Sequence, residues 1–213
     1  MKNFKKSDRK NHPEGRIPPC LLLTLKAGMI PIFFQLLQKG FVVKTKVGCS
    51  IMTLLCEQLD LSPEYLEKNI QTIFLDSKPV DDLDTTIIRD GSVLALSAAM
   101  PGLLGAMLRR GSYYAQMRSE ISHRDEIKSM PLQEGRVIVK LFNLLIPELG
   151  PTFFERGIWI NTEDLQEFLK KHLNDFQAGL KNIRVDDEEY DIEKLSKMEW
   201  ESGEVFLKLK GVS

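Results

Sequence analysis

The chain is poor in the residues that build secreted or metal-stapled proteins. Only three cysteines occur, Cys20, Cys49 and Cys56. They form no C-x-x-C pair, and their odd number argues against a disulfide framework. No N-x-S/T sequon is present, so a reducing, cytoplasmic setting is expected. The three histidines, His12, His123 and His172, lie far apart, and none stands near a second ligand-type residue at metal spacing. No metal site and no cofactor site are expected. Gly 14 and Pro 10 in 213 residues exclude a collagen-like or linker-like polymer. With 43% hydrophobic residues and a net charge of −1, wholesale disorder is excluded too.

Long hydrophobic runs are nearly absent. The one uncharged stretch, residues 91–108, spans 18 positions, the lower limit for crossing a bilayer. Gly91, Pro101, Gly102 and Gly105 interrupt it, and Val93-Leu94-Ala95-Leu96 reads as a buried strand. No membrane span is expected. The near-zero net charge is a cancellation: residues 163–204 carry 13 acidic and 6 basic side chains, a net −7, which leaves the rest at +6. Residues 2–16 hold six basic and two acidic side chains and nothing aliphatic. They are too polar to offset the entropy of ordering and too polar for a signal peptide, so residues 1–16 read as a basic disordered tail.

Laid on itself with a shift of roughly 110–120 residues, the chain repeats. Residues 21–31 (LLLTLKAGMIP) face residues 137–147 (VIVKLFNLLIP), Phe33-Phe34 faces Phe153-Phe154, and residues 40–45 (GFVVKT) face residues 157–162 (GIWINT). Each copy opens as strand, short insert, strand. A helix follows behind Ser50 in one copy and behind Asn161 or Thr162 in the other, because a polar side chain there can satisfy an open backbone N–H. A strand and turn come next, then a closing strand after Asp90-Gly91 or Ser202-Gly203. In the closing strand of the second copy, Val205, Leu207 and Leu209 alternate with Glu204, Phe206, Lys208 and Lys210, the mark of a sheet with one covered face. The fold class expected is α+β, two tandem ββαββ units.

The stretch Phe74-Leu75-Asp76-Ser77-Lys78-Pro79-Val80, then Leu83 through Leu96 (LDTTIIRDGSVLAL), then Met100-Pro101-Gly102, resembles the ubiquitin-like β-grasp of the MoaD/ThiS sulfur-carrier family. The likeness spans residues 21–102 and, more faintly, 135–211. It implies a first β-grasp domain at 17–102, an amphipathic and helical joining segment at 103–134, and a divergent second β-grasp domain at 135–213. In that family a glycine-ended tail threads into an adenylating enzyme, which activates its carboxylate for conversion to a thiocarboxylate. Here Gly102 is internal, and Gly211 is single and followed by Val212-Ser213. Either would serve as an activated glycine only after processing. The partners implied are an adenylating enzyme or a molybdopterin-synthase-like large subunit.

Two readings of the joining segment stay open. Leu104, Met107 or Leu108, Gly111, Tyr114 and Ile121 share one helical stripe, which suits a connector packed between domains. Alternatively Met100, Pro101, Gly102, Gly105, Arg109, Arg110, Tyr113 and Tyr114 form a partner-contact site, with arginine forks for carboxylates and tyrosines for anchoring area. Nucleic-acid binding by the basic tail and joint is a further alternative, opposed by the acidic second copy. No catalytic constellation is expected. Cys49 and Cys56 read as small hydrophobes around the first helix, with the helix start able to lower the Cys49 pKa. His172 reads as a boundary residue, and the carboxylates at 186–189 as a solvated turn. The sequence therefore points to a non-enzymatic, ubiquitin-like interaction protein.

Overall fold

The computed structural model describes residues 18–114, 122, 130–177, 179–200 and 203–212; the expected basic tail and most of the second half of the joint lie outside them. The class is α+β, with ten strands and eight helices among the described residues. The chain divides into two compact units, a continuous one from Phe33–Pro151 and a split one from Met1–Ile32 and Thr152–Ser213.

The split unit opens with β1 (Cys20–Lys26), which runs into a 3-10 turn, Ala27–Phe33. The continuous unit then contributes α1 (Phe34–Lys39) and β2 (Phe41–Val47). Helix α2 (Ile51–Thr53) runs on as a π-helical turn, Leu54–Gln58. After it come α3 (Pro63–Asn69), β3 (Thr72–Leu75), β4 (Lys78–Pro79), β5 (Val93–Ser97), α4 (Gly102–Leu108) and β6 (Gln133–Phe142). Helix α5 (Leu145–Arg156) leads to the rest of the split unit: β7 (Ile158–Asn161), α6 (Thr162–Lys171), α7 (Leu173–Gln177), β8 (Leu180–Val185), β9 (Glu188–Glu189), α8 (Ile192–Ser196) and β10 (Glu204–Val212).

The helix starts follow the expected chemistry. Ser50 accepts from Thr53 N at 3.2 Å, and Asn161, rather than Thr162, accepts from Glu163 N at 2.7 Å and Asp164 N at 3.3 Å. The inserts after the opening strands are helical, and the second is a helix of 12 residues. Its Leu145, Leu149 and Phe153 recur four apart and are buried, so tertiary burial offsets the internal Pro151.

Within the continuous unit the strand order is β4-β3-β5-β6-β2, with β5 and β6 parallel and the other neighbours antiparallel. Within the split unit it is β7-β10-β1-β8-β9, with β10 and β1 parallel. The two sheets match pair for pair. Val93 faces Ile138, Ile138 faces Val42 and Leu75 faces Leu94 in one; Cys20 faces Phe206, Phe206 faces Trp159 and Val185 faces Leu21 in the other. The opening strand of the second repeat, β6, thus lies in the sheet built from the first repeat, between β2 and β5. The opening strand of the first repeat, β1, lies in the sheet built from the second, between β10 and β8. The units therefore do not follow the boundaries of the sequence repeat.

Each sheet buries one face. Leu94, Leu96, Val137, Val139 and Leu141 form the centre of one core with Leu54 and Leu55; Leu21, Leu23, Val205, Leu207 and Leu209 form the other with Leu165 and Leu169. No helix among the described residues is long and apolar enough to cross a membrane, and Val93-Leu94-Ala95-Leu96 is a strand as expected.

Candidate functional site

Parallel β5 and β6 end side by side, with Ser97 opposite Phe142. Asn143, in a left-handed conformation at φ 56°, donates from Nδ2 to Ser97 Oγ at 2.9 Å and ties the two exits together. From β5 the chain passes Met100 and Pro101 and enters α4 at Gly102, whose φ of +80° suits a residue without a side chain. Helix α4 is short. Arg109 is already extended, and the chain returns to the sheet where Arg110 N donates to Gln71 O at 2.8 Å and its guanidinium to Leu66 O at 3.4 Å. Gly105 is buried, and a Cβ there would sit 2.0 Å from Met100 O, so only glycine fits this approach.

This geometry corrects the expected helical stripe. Leu104 is 68% exposed and Tyr114 43%, so neither packs as a connector would; the helix stops at Leu108, too soon to carry a continuous apolar face. Ile121 lies outside the described residues. What results is exposed apolar side chains in both segments that leave the parallel pair: Leu103 (67%) and Leu104 after β5 and, two residues beyond β6, Leu144 (66%). Tyr113 is 83% exposed and meets Tyr114 edge-on, ring centroids 5.5 Å apart. Pro101, Gly102 and Arg109 are exposed, while Met100 and Arg110 are half-buried. The sequence reasoning missed Leu144, whose only signal was its position after the strand that closes beside β5.

The two candidate glycines have different surroundings. Gly102 opens a helix, and Gly211 lies within β10 opposite Leu25. Neither sits in an extended tail.

Other candidates resolve into structural roles. Cys49 is buried, and burial pushes its thiol up rather than the helix start pulling it down; it receives a hydrogen bond from Gln58 Nε2 at 3.2 Å. Gln58 also clips β2, accepting from Lys46 N at 2.8 Å and donating to Lys46 O at 2.9 Å. His172 lies 2.8 Å from Asp175 and tilts against the Phe168 ring. Asp186 and Asp187 form the expected turn and Glu188-Glu189 the short strand β9 after it, and no group of three or more metal-ligating side chains occurs among the described residues. No protein-family model matches the chain, and no curated protein or solved structure matches it with significance.

Proposed function

We propose that the protein is a non-enzymatic, ubiquitin-like interaction protein whose contact surface is the strand-exit region around α4. The observation that carries this reading is the exposure of Leu103 and Leu104 on α4, and of Leu144 just after β6, in the segments by which the chain leaves the parallel pair, where water meets bare isobutyl groups. Arg109 and Tyr113, exposed on the same stretch of chain as Leu103 and Leu104, supply the fork and the anchoring ring favoured in protein contacts. The finer fold reading, two β-grasp units, is supported by a helix following β2 in one unit and β7 in the other, and in each unit by two parallel strands flanked by antiparallel neighbours. A setting in sulfur-carrier or cofactor assembly, with an adenylating enzyme or a molybdopterin-synthase-like subunit as partner, rests on the sequence resemblance.

The alternative, a carrier released by cleavage after Gly102, fits less well. Such a fragment would lack β6 and leave both β2 and β5 without their shared neighbour. Affinity capture from the native host with the full chain and with Leu103→Glu/Leu104→Glu tests the reading. A partner retained by the parent chain and lost by the variant is expected. A chain recovered with a thiocarboxylate at Gly102 or Gly211 would replace it with the carrier reading.

A further inference from the structure

The split unit has a second feature, independent of α4: an open sheet face. Along β10, Val205, Leu207 and Leu209 turn to the core, while Phe206, Lys208 and Lys210 turn the other way. Lys208 stands beside Leu22 and Lys210 beside Thr24; on the other side of these two lie Arg184 and Asn182 of β8. Neighbouring strands are about 4.8 Å apart and alternate residues about 6.8 Å, so the lysines border a small patch of half-exposed Leu22 and Thr24. Of the nearby acids, Asp187 pairs with Arg184 at 3.0 Å, while Glu189 and Asp186 turn toward neutral donors rather than the lysines, Asn182 Nδ2 at 2.9 Å and Cys20 N at 2.9 Å. Lys208 and Lys210 are exposed, and their ammonium groups have no partner among the described residues.

The matching corner of the continuous unit is closed. Ser97, Thr72 and Phe142 stand there at the places of Thr24, Asn182 and Lys210. Thr72 is wholly buried, and the chain leaving β5 comes back through α4 to Gln71 beside it. In the split unit the chain leaving β1 turns to the core side instead, where Ala27 and Ile30 lie against Gly211. The corner is left open, with a lysine where the closed one has a phenylalanine.

We propose that this face docks an acidic peptide segment of a partner protein, its carboxylates meeting Lys208 and Lys210 and an apolar side chain resting on Leu22. Charge complementarity with Lys208 and Lys210, which lie outside the acidic stretch 163–204, selects this occupant. Single-stranded RNA is disfavoured because the face offers no stacking platform: Trp159 is only 8% exposed, and the Phe206 ring packs over Gly157 and 5.0 Å from the Trp159 ring.

The test is fluorescence anisotropy of the full chain against a labelled Leu-Glu-Glu repeat peptide, with a labelled oligouridylate in parallel. Binding of the peptide that weakens with salt is expected, with a loss of about tenfold in Lys208→Glu/Lys210→Glu and none in Lys68→Glu, an exposed residue of α3. A Lys208→Gln/Lys210→Gln chain with an unchanged melting curve guards against misfolding and is expected to lose less. Absent or salt-insensitive peptide binding, equal binding by the Glu variant, tighter binding of the oligouridylate, or self-association through the same lysines would each overturn the proposal.

Discussion

Asp186 and Cys20 exchange two hydrogen bonds across 166 positions of sequence: Cys20 N donates to Asp186 Oδ1 at 2.9 Å, and Asp186 N donates to Cys20 O at 3.0 Å. Asp76 and Val93 make the same pair in the other unit, at 2.8 and 2.9 Å. Both aspartates are left-handed, with φ 49° and 50°, and each is the first residue of a two-residue turn between short antiparallel strands. The latch identifies β1 as the counterpart of β5, although the repeat aligns β1 with β6.

Replacing Asp186 by Ala removes the side-chain acceptor and leaves an alanine at positive φ. A loss of about 2 kcal/mol is expected in urea unfolding. Asp186→Asn should lose less, since its amide oxygen can still accept and asparagine tolerates this conformation. Equal losses in the two variants would show that the latch contributes nothing through its oxygen.

Gly157 should be the least replaceable glycine of the split unit. Its φ is +95°, and a Cβ would lie 2.1 Å from the Phe206 ring. Gly157→Ala is expected to cost about 3 kcal/mol or more, through both strain and overpacking. Gly91→Ala, with φ +78° but open space around it, should cost only about 1 kcal/mol. Thermal melts of the two variants read the difference.

The surface leucines should be nearly free of structural duty. Leu103→Ser/Leu104→Ser is expected to shift stability by no more than about 0.5 kcal/mol per site, whereas Leu96→Ala, in the core, should lose about 2–5 kcal/mol. Urea curves on both separate an interaction surface from a hidden part of the core.

The Asp82 carboxylate is held below its usual range, first by the Thr85 side chain and then by the Thr85 and Asp84 amides. A carboxylate with a depressed folded pKa contributes stability that is present above its unfolded value and is lost as the pH falls through the folded one. The acid side of the stability profile should therefore flatten in Asp82→Asn relative to the parent. Parallel profiles down to acid pH would contradict this.

Much of the local structure was legible in the sequence: the helix starts behind Ser50 and Asn161, the alternation of β10 and the strands that open and close each copy, though not the helices that fill the inserts. The strand neighbours were not. Leu21, Leu23 and Leu25 carry the same every-second-residue apolar pattern as Val137, Val139 and Leu141, and such a pattern sets which face is buried but not beside which strand. The partner-contact candidates were found as a segment, yet their exposure depends on where α4 stops, a decision made by the return of Arg110 to Gln71. The aspartate latches were hidden because an Asp in a turn is common and its acceptor role depends on a distant strand.

The most direct test of the exchanged strands is a cut in the joint. With a protease site inserted after Tyr114, one fragment carries β1 to β5 and the other β6 to β10, so each supplies a central strand to the other's sheet. After complete cleavage, the account predicts that both fragments migrate as one folded particle in size-exclusion chromatography and separate only on denaturation. A folded N-terminal fragment migrating alone would contradict it and restore a releasable carrier.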